Sequence, residues 1–208
     1  MEFRFEQSGM TVGLDDQIVE WAEAYKSAML DGHELLNLAA ALSSFRWNHG
    51  AFVVEIGAYL GTTTVFMARV LDRLRKAVTI LSIDPFEQFE PNPFNPQGNY
   101  SAYMASIMAN GVGHVCLPLA SFSANAAHVV ADNVGVLVID GDHTYPAVSQ
   151  DLKLYAPKVR PGGFIFVDDY GPAYPDVVQA VNEFLAANAN FRLHAKSYFV
   201  VAERMAQV

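Results

Sequence analysis

The sequence predicts an α/β fold: a Rossmann-like, doubly wound, mostly parallel seven-stranded sheet with helices on both faces and an antiparallel C-terminal hairpin. Three observations predict it. From about residue 51 onward, short and nearly continuous apolar runs alternate with amphipathic helical patterns, as in a parallel sheet covered on both faces. Acids close three of the runs, at Asp84, Asp140 and Asp168. The last two runs are separated by only a few residues, too few for a crossover helix, so those strands are antiparallel.

The elements follow in order. Residues 15–29 place Ile18, Trp21, Ala22, Tyr25 and Met29 on one helical face, with Asp15 or Asp16 as the cap. A second pattern over 33–46 carries Leu35, Leu36, Ala39, Leu42 and Phe45. Strands are predicted at 52–56, 78–83, 114–119, 135–139, 164–167, 191–195 and 198–203. Helices are predicted at 62–74, 100–110, 123–131, 147–156 and 176–187. The 208 residues suit one domain over 1–208, with 1–50 as an N-terminal helical cap and 51–208 as the ligand-binding core.

Composition excludes several functions. The chain is 52% hydrophobic and 17% charged, enough to bury a sizeable core. Its net charge of −9 repels phosphate backbones, which argues against nucleic acid as a partner. No apolar run has the length of a membrane span, and the start Met-Glu-Phe-Arg-Phe-Glu is no signal peptide. The single cysteine, Cys116, lies in an apolar run and reads as a buried core thiol in a reduced, cytoplasmic protein.

Ligands of open α/β sheets bind beyond the carboxyl ends of the strands, where the strand order reverses. The first core strand ends Glu55-Ile-Gly57-Ala-Tyr-Leu-Gly61-Thr-Thr-Thr. Gly57 and Gly61 allow a sharp turn and close approach of a ligand. The free N–H groups of the following helix suit a carboxylate. Glu55 can accept from an ammonium. One amino-acid moiety offers both groups, and methionine is the one joined to adenosine in S-adenosylmethionine. The Gly-x-x-x-Gly spacing lacks the middle glycine that admits a pyrophosphate. Asp84 is placed to accept from ribose hydroxyls. Ser121 has two readings, the adenine edge or a cap for the helix from Ser123.

Asp140-Gly-Asp-His143 ends the fourth core strand and Asp168-Asp169 the fifth. On adjacent strands these acids meet and repel unless a cation lies among them. Asp140, Asp168 and Asp169 are therefore candidate ligands of a hard divalent ion such as Mg²⁺; solvated turn acids and helix caps are the alternative. Imidazole is a general base near neutral pH, so His143 is the candidate base, or a cap for the next helix. His33, His49, His114, His128 and His194 lack acidic company and read as structural. The loop from Pro85 to Asn99 is long and holds Phe86, Phe89, Phe94, Pro91, Pro93 and Pro96. It reads either as a lid or as a plain surface loop.

Two stretches carry a family resemblance. Glu55-Ile-Gly-Ala-Tyr-Leu-Gly-Thr-Thr resembles the first motif of class I S-adenosylmethionine-dependent methyltransferases. Val138-Ile-Asp-Gly-Asp-His-Thr-Tyr145, Asp151-Leu and Arg160-Pro-Gly-Gly-Phe-Ile-Phe-Val-Asp-Asp169 resemble the macrocin O-methyltransferase family, with catechol O-methyltransferase as a distant relative. The resemblance implies O-methylation of a hydroxylated small molecule such as a sugar or natural product. It implies a metal on Asp140, Asp168 and Asp169 and a base at His143. Cofactor contacts are implied at Glu55, Gly57, Tyr59, Thr63, Asp84 and Ser121, and Ala58, Gly61, Thr62 and Asp140 complete that set. Relatives often form homo-oligomers. Two rival readings stand beside it, an NAD(P)-dependent reductase and a non-catalytic cofactor-binding module. Asp142 has no assigned role, and the acceptor is unassigned.

Overall fold

The computed structural model describes residues 1–26, 31–86 and 98–206. The chain opens with a hairpin, β1 (Glu2–Arg4) and β2 (Thr11–Gly13). Helices α1 (Asp16–Tyr25) and α2 (Gly32–Ser44) follow. Next come β3 (Phe52–Ile56), α3 (Thr62–Arg73), β4 (Ile80–Asp84), α4 (Asn99–Ala109), β5 (Cys116–Ala120) and α5 (Ser123–Ala126). The chain continues through β6 (Val134–Ile139), α6 (Tyr145–Tyr155), β7 (Val159–Val167), α7 (Pro175–Ala187), β8 (Phe191–Lys196) and β9 (Val200–Arg204). Seven strands form one sheet in the order β5-β4-β3-β6-β7-β9-β8, and only β9 runs against its neighbours β7 and β8. The predicted sheet is thus the observed one.

Both faces of the sheet are covered, which is why its central strands are mostly apolar. Every residue of β6 is buried. Val136 and Val138 point to the face covered by α1, α2 and α3. Leu137 and Ile139 point to the face covered by α6 and α7. The two-residue pleat divides the core into these layers.

The N-terminal hairpin has no counterpart in the predicted elements. Its strands are three residues long, and only Phe3 and Phe5 hint at alternation. His194, fully buried, fastens the hairpin's turn to the sheet: Nδ1 lies 2.6 Å from the Ser8 hydroxyl and Nε2 3.0 Å from Glu203. Asp15, rather than Asp16, caps α1 through the Gln17 N–H and also pairs with Arg73 at 2.7 Å. Met29 and the loop residues Phe89, Phe94, Pro91, Pro93 and Pro96 lie outside the described residues. Helix α5 stops at Ala126, short of the predicted 131. Beyond it, the Val130 carbonyl accepts from Lys158 and not from a further helical turn. Cys116 is buried as expected, and burial followed by the Glu55 charge pushes its thiol up to about 12. No helix among the described residues is long and apolar enough to cross a membrane.

The strand order reverses between β3 and β6, and there the backbones nearly touch. Gly57 has φ +83°, and a Cβ on it would lie 1.9 Å from the Asp140 carbonyl oxygen. Gly57→Ala should therefore cost roughly 3 kcal/mol or more in urea unfolding. Gly111→Ala, with φ +71° but open space around it, should cost only about 1–2 kcal/mol from backbone strain. Equal costs would show that the close approach does not matter.

Candidate active site

The parallel register builds the site. Ile83, Ile56, Ile139 and Val167 lie on one rung across β4, β3, β6 and β7. The next residue in each strand therefore lines the same edge: Asp84, Gly57, Asp140 and Asp168. Bonds from Gly57 N–H to Ile83, Asp140 N–H to Ile56 and Asp168 N–H to Ile139 extend the ladder by that residue. With strands about 5 Å apart, Asp84 stands roughly 10 Å from Asp140.

On one side of Gly57 the edge is shaped for a nucleoside. Asp84 Oδ2 accepts from the N–H groups of Ala58 (2.9 Å) and Tyr59 (2.8 Å), and Oδ1 from Phe86 (2.6 Å). Asp84 thus holds the β3–α3 turn, and its oxygens keep lone pairs for further donors. Gly61 begins α3 with φ +82° and no side-chain cap, which leaves the first-turn N–H groups available. A Cβ at Gly61 would meet the Tyr103 ring at 2.9 Å, so this glycine serves helix packing. Thr62 is exposed, while Thr63 turns towards Asp140 and Asp168. Ser121 is no helix cap: the N-cap of α5 is Phe122, and the Ser121 hydroxyl donates to the Phe122 carbonyl. Phe86 is buried against Tyr100 and Tyr103.

Glu55 sits below the turn, with none of its surface exposed. Its Oε2 accepts from Thr64 (2.5 Å) and Ser82 (2.6 Å), and Tyr103 donates to Ser82 (3.1 Å). Oε1 has no partner. In this geometry Oε2 of the carboxylate braces β3, β4 and α3, and Tyr103 of α4 joins the network through Ser82.

On the other side of Gly57 the acids gather. Period-two alternation sends Asp140 and Asp168 to the same face as Val138 and Phe166, towards α2. There Asp140, Asp168, Thr63, Leu35, Leu38 and Glu34 line a cavity of about 10 Å³, the size of one small occupant. Glu34 was absent from the predicted site; its only signal was the Asp31-x-x-Glu34 spacing of a capping box. Asp169 adopts φ +56°, and its Oδ2 meets His143 Nε2 at 2.7 Å. The His143 ring packs on Tyr174, centroids 4.5 Å apart. Asp142 accepts from the Thr144 N–H, a local turn bond.

Among the described residues, the group whose ligand atoms all lie within 4.8 Å of one another is Asp140, His143 and Asp169. Asp168 stands beside this group and not within it, because the left-handed turn at Asp169 separates the two neighbouring carboxylates. The electrostatics are strained. Burial, then the charges of Asp168 and Asp169, drive the Asp140 carboxyl well up from its ordinary range. Burial, then Glu34, pushes Asp168 up to about 7. The Asp169 carboxylate in contact with Nε2 raises the imidazolium pKa of His143. Crowded oxygen donors with one imidazole are a donor set that suits a hard divalent cation.

A family model described as methyltransferase domain matches residues 54–170, from within β3 to just past the acidic pair. The chain belongs to this methyltransferase-domain family. The match removes the reductase reading. Solved structures share the fold of this class I, S-adenosylmethionine-dependent methyltransferase domain. A Corynebacterium glutamicum protein superposes with a TM-score of 0.68 at 14% identity, over 95% of this chain and 93% of its own. A Podospora anserina methyltransferase with bound S-adenosylhomocysteine gives 0.61 at 14%, over 94% and 90%. The TDP-rhamnose 3′-O-methyltransferase of calicheamicin biosynthesis gives 0.59 at 14%, over 92% and 96%. An uncharacterised protein of Acanthamoeba polyphaga mimivirus is 42% identical over 57 residues, which spans only 26% of either chain.

The methyltransferase domain carries a built-in pH dependence of stability. Burial raises Glu55 from 4.5 to about 7. The folded protein then keeps a proton that the unfolded chain releases, so stability falls as pH rises from about 4.5 to about 7. Between pH 5 and 7.5, Glu55→Gln should lose less stability than the wild type, by a difference on the order of 2 kcal/mol in urea unfolding. Parallel pH profiles for the two proteins would refute this.

Proposed function

We propose that this protein moves the methyl group of S-adenosylmethionine to a hydroxyl oxygen of a small polyhydroxylated acceptor, such as a sugar or a natural product. The observation that carries the reading is the convergence of Asp140, Asp169 and His143 at the strand-order reversal. The family match and the O-methyltransferase among the structural neighbours support it. The nucleoside half of the cofactor belongs along Asp84 and Ser121. Its methionine carboxylate suits the uncapped start of α3, beside the turn formed by Gly57, Ala58 and Tyr59.

Asp140 and Asp169 would hold a divalent cation such as Mg²⁺, with Asp168 adjacent. When bound, the cation supplies Lewis acidity that lowers the pKa of an acceptor hydroxyl. Neutral His143 takes the hydroxyl proton on Nε2, which in this structure meets Asp169. The acceptor oxygen forms a bond to the methyl carbon, the carbon–sulfur bond breaks, and S-adenosylhomocysteine leaves. Alignment of oxygen, carbon and sulfur supplies much of the rate. A reduced cytoplasmic setting and a homo-oligomeric state complete the proposal.

Calorimetric titration should show S-adenosylmethionine binding and no NADH binding. EDTA should abolish turnover while cofactor binding persists, and full activity in EDTA would remove the metal from the scheme. Asp169 holds the imidazolium form of His143, so kcat/KM should rise with pH through a value above 6.5. In His143→Ala that limb should vanish and turnover should fall by roughly 100-fold or more. If His143→Ala instead loses metal affinity and keeps the limb, His143 is a ligand and not the base.

A further inference from the structure

A groove of about 410 Å³ runs between α6 and α7 and shares no residue with the acidic cavity. Its volume is that of a small-molecule site, and no step of methyl transfer uses it. The sequence builds it from a helical stripe. Ser149, Leu152, Lys153 and Ala156 recur at spacings of three and four along α6, and Ala180 and Phe184 face them from α7. Small side chains at 149, 156 and 180 leave the space open. The rings of Phe184 and Phe191, centroids 5.1 Å apart, give it an aromatic wall.

The charges of the groove are unevenly satisfied. Glu183 is its acid, and both of its oxygens are engaged: Oε2 accepts from the Tyr145 hydroxyl at 2.6 Å and Oε1 from Gln179 at 2.9 Å. Lys153 is exposed and has no hydrogen-bond or ion-pair partner among the described residues. Arg204 donates to the carbonyls of Pro157 and Val159 through Nη1, which leaves the donors of Nη2 and Nε. Both cations stand towards the end of α6, where Lys153 lies four residues before Pro157, whereas Glu183 meets Tyr145, the first residue of that helix. A chain of net charge −9 repels small anions in general. Two available cations beside a pair of aromatic rings are a local exception to that field.

We infer that the α6–α7 groove is a second ligand site and that it takes an aromatic carboxylate. The ring of the ligand packs on Phe184 and Phe191, and its carboxylate accepts from the Lys153 ammonium and the open edge of the Arg204 guanidinium. Neither cofactor nor metal takes part, so the inference stands apart from the methyltransferase reading.

The probe is 2-naphthoate, titrated by calorimetry into the metal-free protein in excess S-adenosylhomocysteine, which keeps the ring from the nucleoside edge. It should bind with a Kd of about a millimolar or tighter. The cation 2-naphthylmethylammonium should bind at least about fivefold more weakly, and added salt should narrow the gap. Lys153→Glu alters an exposed helix position and should remain folded while naphthoate affinity falls at least about fivefold. Lys76→Glu makes the same change of charge at an exposed position outside the groove and should leave the affinity unchanged. No saturable binding of 2-naphthoate, an ammonium probe that binds as tightly, or equal losses in Lys153→Glu and Lys76→Glu overturns the inference. So does binding that disappears as the protein self-associates, which would make the groove an interface between copies of the chain.

Discussion

The rung formed by Ile83, Ile56, Ile139 and Val167 is the constraint on which the rest depends. Each of those residues is apolar and buried, and parallel hydrogen bonding holds them level. A one-residue slip in any strand would turn its inward side chains outward and carry its terminal acid to the wrong face. Because the core forbids the slip, the edge residues Asp84, Gly57, Asp140 and Asp168 are placed by packing and not by attraction among themselves. Site precision here is inherited from hydrophobic packing several residues below.

That dependence explains which parts were legible in the sequence. Apolar runs closed by an acid reveal both a strand and its carboxyl end, so the sheet and the Asp84, Asp140 and Asp168 positions could be read directly. That Asp169, and not Asp168, comes within 4.8 Å of both Asp140 and His143 could not. It follows from the left-handed conformation of Asp169, a choice that Asp tolerates but does not announce. The bracing role of Glu55 could not be read either, since its place before the glycine turn speaks only of a ligand. Its hydroxyl partners Thr64 and Ser82 lie nine and 27 positions away, and nothing local records that they meet. Glu34 was invisible for a related reason: its capping pattern marks the start of a helix, whereas only packing of α2 on the sheet brings it to the acids. The N-terminal hairpin had only Ser8-Gly9 as a turn signal between very short strands, and its anchor His194 gains meaning only from Ser8, far off in the chain.

The acidic cluster also shows how a fold tolerates electrostatic conflict. Asp140 and Asp168 are held together by backbone register, although burial and mutual repulsion oppose their ionisation. The apolar layers on the two faces of the sheet fix the geometry first, and the carboxylates must accept it. A cation bound there would relieve the stress that the core imposes. Glu55 is a second instance, a buried acid shielded by two hydroxyl donors instead of a counter-ion.

The position of β9 has a consequence for how the chain assembles. It lies between β7 and β8, so β8 finds no sheet neighbour when it is made and waits for the strand that follows it. The two must first meet as a hairpin, which alone is marginal in water, and then dock along β7 as a pair. Until then β7 presents an open row of backbone donors and acceptors next to the acidic pair. Nascent chains paused at this stage would be exposed to strand exchange with one another, and closure of the sheet by β9 is the step that ends that hazard.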